Sequence, residues 1–428
     1  MQRNEPTTIR SIKGVNDILP GEMARWHVIE DTARRLSRLY GFREIRVPIF
    51  EMTELFARSI GASTDIVEKE MYTFQDRDGS SVTLRPEATA GVVRAYIEHN
   101  LSSSGGTEKL YYLGPMFRHE RQQKGRFRQF HQYGVESFGS GDPSADIEVI
   151  SLLWRFLSSL QLPALTLEIN SLGNPTDRSA YKAVLVDFLK QRIDDLCANC
   201  RRRIETNPLR VLDCKVPTCR AVTADGPKLT EYLSSDSEHH FQSVLSGLKA
   251  LGIPYDLNSR LVRGLDYYTL TTFEVTSTSA HLGVQQNAVG AGGRYDGLVE
   301  ALGGPQVPAV GFAVGLERVA LLLPESILPP PVRTIYVAAF GQQGLSVGLR
   351  LLEDLRTAGV PTDRDPKAAT LKVHLRQADR LGASHAVIVG DDEAAKGRVI
   401  LRDMTTKVQE ELPLESAART LATRLLHP

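Results

Sequence analysis

The chain has 428 residues, room for two or three domains, and its 42% hydrophobic and 24% charged composition is that of a globular protein rather than a disordered one. Its 51 basic and 51 acidic side chains cancel, so global charge does not advertise a nucleic-acid partner and any such site must be a local patch. No segment is long and apolar enough to cross a membrane, and MQRNEPTTIRSIKG lacks the apolar core of a signal peptide, so no membrane association and a cytoplasmic location are expected.

GVNDILP (14–20) is a turn-rich entry. A helix is predicted from Glu22 to Tyr40, with Trp26, Ile29, Ala33, Leu36 and Leu39 at helical spacing and Gly41 as the stop. FREIRVPIFE (Phe42–Glu51) reads as one strand interrupted at an edge or bend by Pro48, which has no N–H for a ladder. Asp78-Gly79 marks a hairpin turn between Met71–Gln75 and Ser81–Arg85. Pro86 ends that strand, and Glu87 and Thr89 open a helix, where acids and hydroxyls cap free N–H groups.

Leu110 to Gly139 is the most informative stretch. It reads as two aromatic and β-branched strands joined by a charged loop carrying Arg118, Arg121, Lys124, Arg126 and Arg128 against the single acid Glu120. Phe130, Gln132 and Glu136 fall on one face of the second strand, because strand side chains alternate. An arginine cluster beside an acid, an amide and an aromatic ring suits a ligand with phosphates, a flat ring and a small polar group.

A helix (145–160) and a strand (165–169) follow. From 170 to 254 the texture changes to short helices with scattered charge, read as a mainly helical insertion. It holds all four cysteines, Cys197, Cys200, Cys214 and Cys219, as C-x2-C-x13-C-x4-C, a zinc-ribbon-like spacing. Structural zinc and reduced thiols both stay open. LVRGLDYYTLTTFEV (261–275) alternates as a half-exposed strand from Tyr267 onward. GAGGRYDGLVEALGG (290–304) is a glycine-rich strand end without a Walker lysine, and VPAVGFAVGLERVALLL (307–323) enters a helix containing Arg318. The proline-rich linker ESILPPPV leads to alternating strands and helices over 333–428, a small α/β domain with a mostly parallel sheet. That domain has 14 basic against 12 acidic residues, so electrostatics alone says little about RNA.

FRHERQQKGRFRQFHQ closely resembles motif 2 of class II aminoacyl-tRNA synthetases, and specifically the histidyl-tRNA synthetases. TLRPEATA resembles the same segment of that family, and RGLDYYT and GGRYDGL resemble the two signatures peculiar to it. The helix and strand around Pro48 resemble motif 1, the stretch with Arg318 resembles motif 3, and the C-terminal domain resembles an anticodon-binding domain. The resemblance implies an α+β catalytic domain over 1–169 and 255–325 with an antiparallel sheet flanked by helices, an insertion over 170–254, and a C-terminal domain over 333–428. It implies a bacterial-type histidine–tRNA ligase: L-histidine and ATP give histidyl-adenylate and pyrophosphate, and histidine passes to the terminal adenosine of tRNA(His), with Mg²⁺ on the phosphates and a homodimer as the assembly.

By the same resemblance, Arg118 and Arg263 serve the α-phosphate, and Arg118, Glu120, Arg126, Phe130 and Arg318 bind ATP. Glu87, Thr89 and Gln132 take the α-amino group, Glu136 and Tyr268 read the imidazole beside Tyr267, and Arg121 and Gln123 meet the tRNA acceptor end. Leu270 departs from the pattern, since many relatives carry glycine there. The alternative is a non-catalytic paralogue of the kind that regulates ATP phosphoribosyltransferase. That family lacks the C-terminal domain and has degraded RGLDYY and GGRYDGL motifs, whereas this chain keeps all three.

Overall fold

The computed structural model describes residues 8–426 except 62, 63, 65, 122, 263, 264, 266 and 283–286. It divides into two compact units, 1–328 and 329–428.

In the first unit, α1 (Met23–Leu39) buries Trp26, Ile29, Ala33 and Leu36, and Gly41, at φ +78°, turns the chain out of it. The single strand expected across Pro48 is instead two strands in two sheets. β1 (Arg43–Glu44) edges the main sheet, and β2 (Phe50–Met52) joins a small sheet. Pro48 cannot donate to a ladder, and the buried Arg85 takes the carbonyls of Val47 and Pro48 at 2.8 and 3.4 Å, so neither sheet runs through the bend. After the short helix α2 (Thr53–Ile60), β3 (Tyr72–Gln75) and β4 (Ser81–Leu84) form the predicted hairpin, and the small sheet has the order β2-β4-β3.

α3 (Thr89–Glu98) leads to the long hairpin of β5 (Glu108–Phe117) and β6 (Gln129–Phe138), paired from Phe117–Gln129 to Glu108–Phe138. α4 (Pro143–Ser159), capped by Asp142, and β7 (Leu165–Ser171) follow. Next come α5 (Pro175–Lys190), capped by Asn174, α6 (Ala198–Thr206), α7 (Pro217–Ala224) and α8 (Ser235–Ala250). β8 (Asp256–Leu257), β9 (Thr269–Ser277), β10 (Ala288–Arg294), α9 (Leu298–Ala301), β11 (Ala309–Gly315) and α10 (Leu316–Leu322) complete the unit.

The eight-stranded sheet has the order β1-β5-β6-β11-β10-β9-β7-β8. Its interior pairs are antiparallel, and only the two short edge pairs are parallel. One core lies between this sheet and α1, α4 and α8. Phe241, Val244, Leu245 and Leu248 of α8 belong to it, although α8 lies within the stretch read as insertion. α5 to α7 gather a separate small core around the cysteines.

The second unit contains β12 (Ile335–Ala339), α11 (Gln342–Thr357), β13 (Thr362–Asp363), α12 (Leu371–Arg380) and β14 (His385–Val389). α13 (Asp391–Ala395), β15 (Arg398–Asp403), β16 (Gln409–Pro413) and α14 (Leu414–Leu426) follow. The sheet order is β13-β12-β14-β15-β16. Only β13, β12 and β14 run parallel, while β15 and β16 are antiparallel, so the sheet is mixed rather than mostly parallel. The reason is chain length. Residues 390–397 are too few for the crossover a parallel neighbour needs, and β15 returns as a hairpin-like partner.

Candidate active site

Two adjoining sites open on the face of the main sheet formed by β6, β10 and β11. The first is a buried polar cluster that includes Glu87, Thr89, Gln132 and Glu136. Glu136 projects into it from β6, where alternation puts it on the same face as Gln132. Thr89 Oγ1, at the start of α3, donates to Glu136 Oε1 at 2.6 Å, and the hydroxyl of Tyr295, just past β10, donates to Oε2. Burial raises the Glu136 carboxyl to about 8, against the opposing pull of the Thr89 and Tyr295 hydroxyls. Glu87 accepts from the N–H groups of Thr89 and Ala90 at 2.6 and 3.0 Å, the capping expected of it, and burial still raises its carboxyl above the ordinary range. Gln132 Oε1 is buried with no hydrogen-bond partner among the described residues, an acceptor left for a bound donor. Tyr267 and Tyr268 lie on Tyr295, with centroids 5.6 and 6.4 Å away.

Two glycines make room for this arrangement. A Cβ at Gly311 would sit 1.9 Å from Glu136 Oε2, and one at Gly134 would sit 2.3 Å from the Tyr112 hydroxyl. Neither gap tolerates a methyl group, so the small residues of β6 and β11 shape the pocket.

The second site is a cleft of about 250 Å³ whose lining includes Arg118, Glu120, Arg126, Phe130 and Arg318, so it brings together the five residues assigned to ATP. Gln132, on the same strand face as Glu136, lines it too. The Arg118 guanidinium lies 5.4 Å from the Phe130 ring centroid, and its Nε donates to the carbonyl of Pro86 at 2.7 Å. Glu120 sits between Arg118 (3.7 Å) and Arg126 (3.1 Å). Arg318 donates to the Ala288 carbonyl, and burial lowers its pKa. Gly290 and Gly315 are in the lining, and the carboxylates of Glu274 and Glu317 stand at its wall. Arg121 and Gln123 are exposed at the hairpin tip, where Gln123 and Arg126 form an isolated bridge. Arg263 lies outside the described residues.

A third cluster stands in the helical lobe. The four cysteine sulfurs lie within 4.8 Å of one another, and three of the residues are buried. The Cys197 and Cys214 sulfurs are 4.0 Å apart, and the Cys197 N–H donates to Cys219 Sγ at 3.2 Å. Four sulfurs at ~2.3 Å from a central zinc stand roughly 3.8 Å apart in a tetrahedron, so this donor set fits a closed Cys₄ site.

Two residues of the first pocket went unnamed in the sequence reading. Tyr112 projects from β5, and burial with the nearby Glu136 and Glu87 carboxylates pushes its phenol far up. Its signal was the pairing of Tyr112 opposite Gly134, a large residue facing an empty position. Tyr295 stood in plain view within GGRYDGL.

A mainly antiparallel sheet that carries an arginine-lined cleft beside a buried cluster of carboxyls and tyrosines fits the fold of a class II aminoacyl-tRNA synthetase. A family model for histidyl-tRNA synthetase matches residues 14–176 and 208–319, and a model for an anticodon binding domain matches 334–424. The chain belongs to the histidyl-tRNA synthetase family and is an enzyme of the aminoacyl-tRNA synthetase class. It is 50% identical over 415 residues to the histidine–tRNA ligase of Geobacter sulfurreducens, covering 96% of this chain and 99% of that one. The structure of apo histidyl-tRNA synthetase from Staphylococcus aureus superposes with a TM-score of 0.82 at 36% identity, covering 97% of this chain and all of that one. A Bacillus halodurans structure titled as an ATP phosphoribosyltransferase regulatory subunit/histidyl-tRNA synthetase shares the fold, with a TM-score of 0.65 at 21% identity, covering 90% of this chain and 99% of that one.

Proposed function

We propose that the chain activates L-histidine in the joined pocket and cleft and transfers it to tRNA(His). A histidine carboxylate oxygen attacks the α-phosphorus of ATP, the bond to the β-phosphate bridging oxygen breaks, and pyrophosphate leaves. A hydroxyl of the terminal tRNA ribose then attacks the acyl carbon, losing its proton, and AMP leaves. The first step brings two anions together, so cationic donors fixed in place beforehand supply most of the rate. Arg118, set over the Phe130 ring and tied to Pro86, meets that need, and Arg263 is assigned beside it. Phe130 offers a face to adenine, and Arg318 holds the far phosphates. Glu120 and Glu274 are the cleft carboxylates that would hold Mg²⁺, a hard cation with oxygen ligands that would offset the phosphate charge.

The observation that carries the reading is Glu136, buried and held by two hydroxyls at the end of the pocket. An imidazole has two ring nitrogens, and a dry site built to bond them rejects apolar analogues strongly. Glu87, Thr89 and Gln132 take the α-ammonium group, and Tyr267 and Tyr268 close over the ring. Arg121 and Gln123 reach the acceptor end from the hairpin tip, and the second unit binds the anticodon. We place the protein in the cytoplasm; no helix among the described residues is long and apolar enough to cross a membrane. Charging of a tRNA(His) transcript with labelled histidine tests the whole reading, and a protein that forms no charged tRNA contradicts it. A regulatory paralogue is disfavoured by the presence of the second unit. Within the first unit we assign the insertion to the helical lobe built around α5 to α7.

We assign a homodimer, on the strength of one face of the small sheet. Phe50, Leu84 and Tyr72 lie in one row across β2, β4 and β3, and Met52, Val82 and Phe74 in the next. Phe50, Met52 and Phe74 are 54%, 52% and 48% exposed on either side of the buried Val82, large apolar side chains of the kind that partners cover. Phe74→Arg is expected to convert the protein from dimer to monomer at micromolar concentration, read by light scattering. A wild type that already has a monomer's mass ends this assignment.

We also assign structural zinc to Cys197, Cys200, Cys214 and Cys219, where it would tie the lobe together. Protein purified without chelator is expected to hold about one zinc per chain by elemental analysis, in keeping with a closed four-sulfur site. Substoichiometric zinc leaves the cysteines as reduced thiols.

A further inference from the structure

The amino-acid pocket is braced from behind by the lobe that carries the cysteines. Tyr268 and Leu270 lie where the chain enters β9, and their backbone is tied at three points to residues 172–178. Leu172 N–H donates to the Leu270 carbonyl at 2.6 Å, Leu270 N–H donates to the Gly173 carbonyl at 2.9 Å, and Arg178 Nη1 donates to the Tyr268 carbonyl at 2.6 Å. Leu270 holds φ +46° beside a register shift between β9 and β10. An L side chain rarely adopts that conformation, and surrounding contacts must enforce it.

Two cavities back this turn. One of about 460 Å³ is lined by Tyr267, Thr269 and Leu270, the other of about 170 Å³ by Leu265 and Tyr268, and Arg178 lines both. On that side the turn meets open space, and Arg178 is the strut that crosses it. Arg178 projects from α5, whose Tyr181, Leu185 and Leu189 are buried in the core that holds the cysteines. Val262 packs against both that core and the one beneath Tyr268.

We propose that Arg178 is a positioning residue: it fixes the Tyr268 carbonyl, and through α5 it makes histidine affinity depend on the order of the cysteine lobe. The proposal rests on the reading of Tyr268 as an imidazole-facing residue. A guanidinium–carbonyl bond is charge-assisted and directional, so its loss lets the turn relax toward the cavities. The ring then shifts relative to Glu136, while the nucleotide cleft, lined mainly from β6, β10, β11 and the hairpin loop and reached by β9 only at Glu274, farther along the strand, stays in place.

The test uses the full-length enzyme. Histidine affinity is measured by calorimetry without ATP, and the KM values for histidine and ATP by pyrophosphate exchange. Arg178→Met is expected to weaken histidine binding about tenfold, the scale of losing a charge-assisted bond such as the one to the Tyr268 carbonyl, with the KM for ATP within twofold of wild type. Arg178→Lys, which still carries a donor, is expected to recover most of the loss, a rescue that general damage to the lobe would not give. Loosening the lobe by chelator, or by Cys214→Ser, is expected to weaken histidine binding in the wild type and to add little in Arg178→Met, because coupled changes do not add. Unchanged histidine affinity in Arg178→Met overturns the positioning role, as does a parallel rise in both KM values. Fully additive losses overturn the link to the lobe. A wild type that fails to bind histidine overturns the amino-acid assignment itself.

Discussion

Arg118→Ala is expected to slow histidyl-adenylate formation by about 10²-fold or more, the cost of removing one preorganised donor from a developing anion. Its guanidinium is already oriented in the free protein by the Pro86 carbonyl and the Phe130 ring, so no reorganisation is left for the moment of reaction. Histidine affinity should change little, because Glu87, Glu136 and Gln132 are untouched. Arg263→Ala is expected to match Arg118→Ala in kind. Single-turnover activation with rapid mixing separates the chemical step from binding. An activation rate within a few-fold of wild type would remove Arg118 from the α-phosphate.

Glu136→Gln should act on the other half of the site. Removing one partner of a buried charged hydrogen-bonded pair costs a large part of the binding energy, so histidine affinity is expected to fall by about 10²- to 10³-fold. The pH dependence carries a sharper signature. In the free protein Glu136 keeps its proton up to about pH 8, whereas a free imidazole loses its proton near pH ~6.5. A complex in which one proton is shared between them requires no net exchange only between these two values. Below that window binding must release a proton, and above it binding must take one up, so affinity peaks inside the window and falls on both sides. Glu136→Gln is expected to abolish the alkaline fall. Calorimetry in buffers of different ionisation enthalpy counts the protons directly, and a flat wild-type profile through pH 9 would contradict the shared proton. The same raised carboxyl has a sign for stability. The folded protein holds a proton that the unfolded chain releases near 4.5, so the contribution of Glu136 is fully present below that value and is lost as pH rises toward about 8.

Much of this site could be read from the sequence, because its polar residues lie on short, strongly patterned elements. Strand alternation alone put Phe130, Gln132 and Glu136 on one face, and Pro86 followed by Glu87 and Thr89 marked a helix start. What escaped was set by tertiary approach. Tyr295 reaches Glu136 from just past β10, 159 positions away in the chain, and no local pattern records that contact. Pro48 was read as a bend in one strand, but the arginine that captures its carbonyl lies 37 residues on. Leu270 could be noted only as a departure from its relatives. Its positive φ and its bonds to residues 172 and 173 depend on how the chain returns from the lobe. The cysteines show the same limit: far from RGLDYYT in sequence, they share a core with the helix that carries Arg178 to Tyr268.

ATP–pyrophosphate exchange, run in parallel with each of the twenty amino acids, tests the central claim most directly. The account predicts rapid exchange with histidine and background exchange with the other nineteen, because an imidazole offers the buried Glu136 carboxyl a polar ring partner that an apolar side chain cannot replace. Exchange that proceeds equally well with another amino acid, or that does not depend on histidine at all, would contradict it.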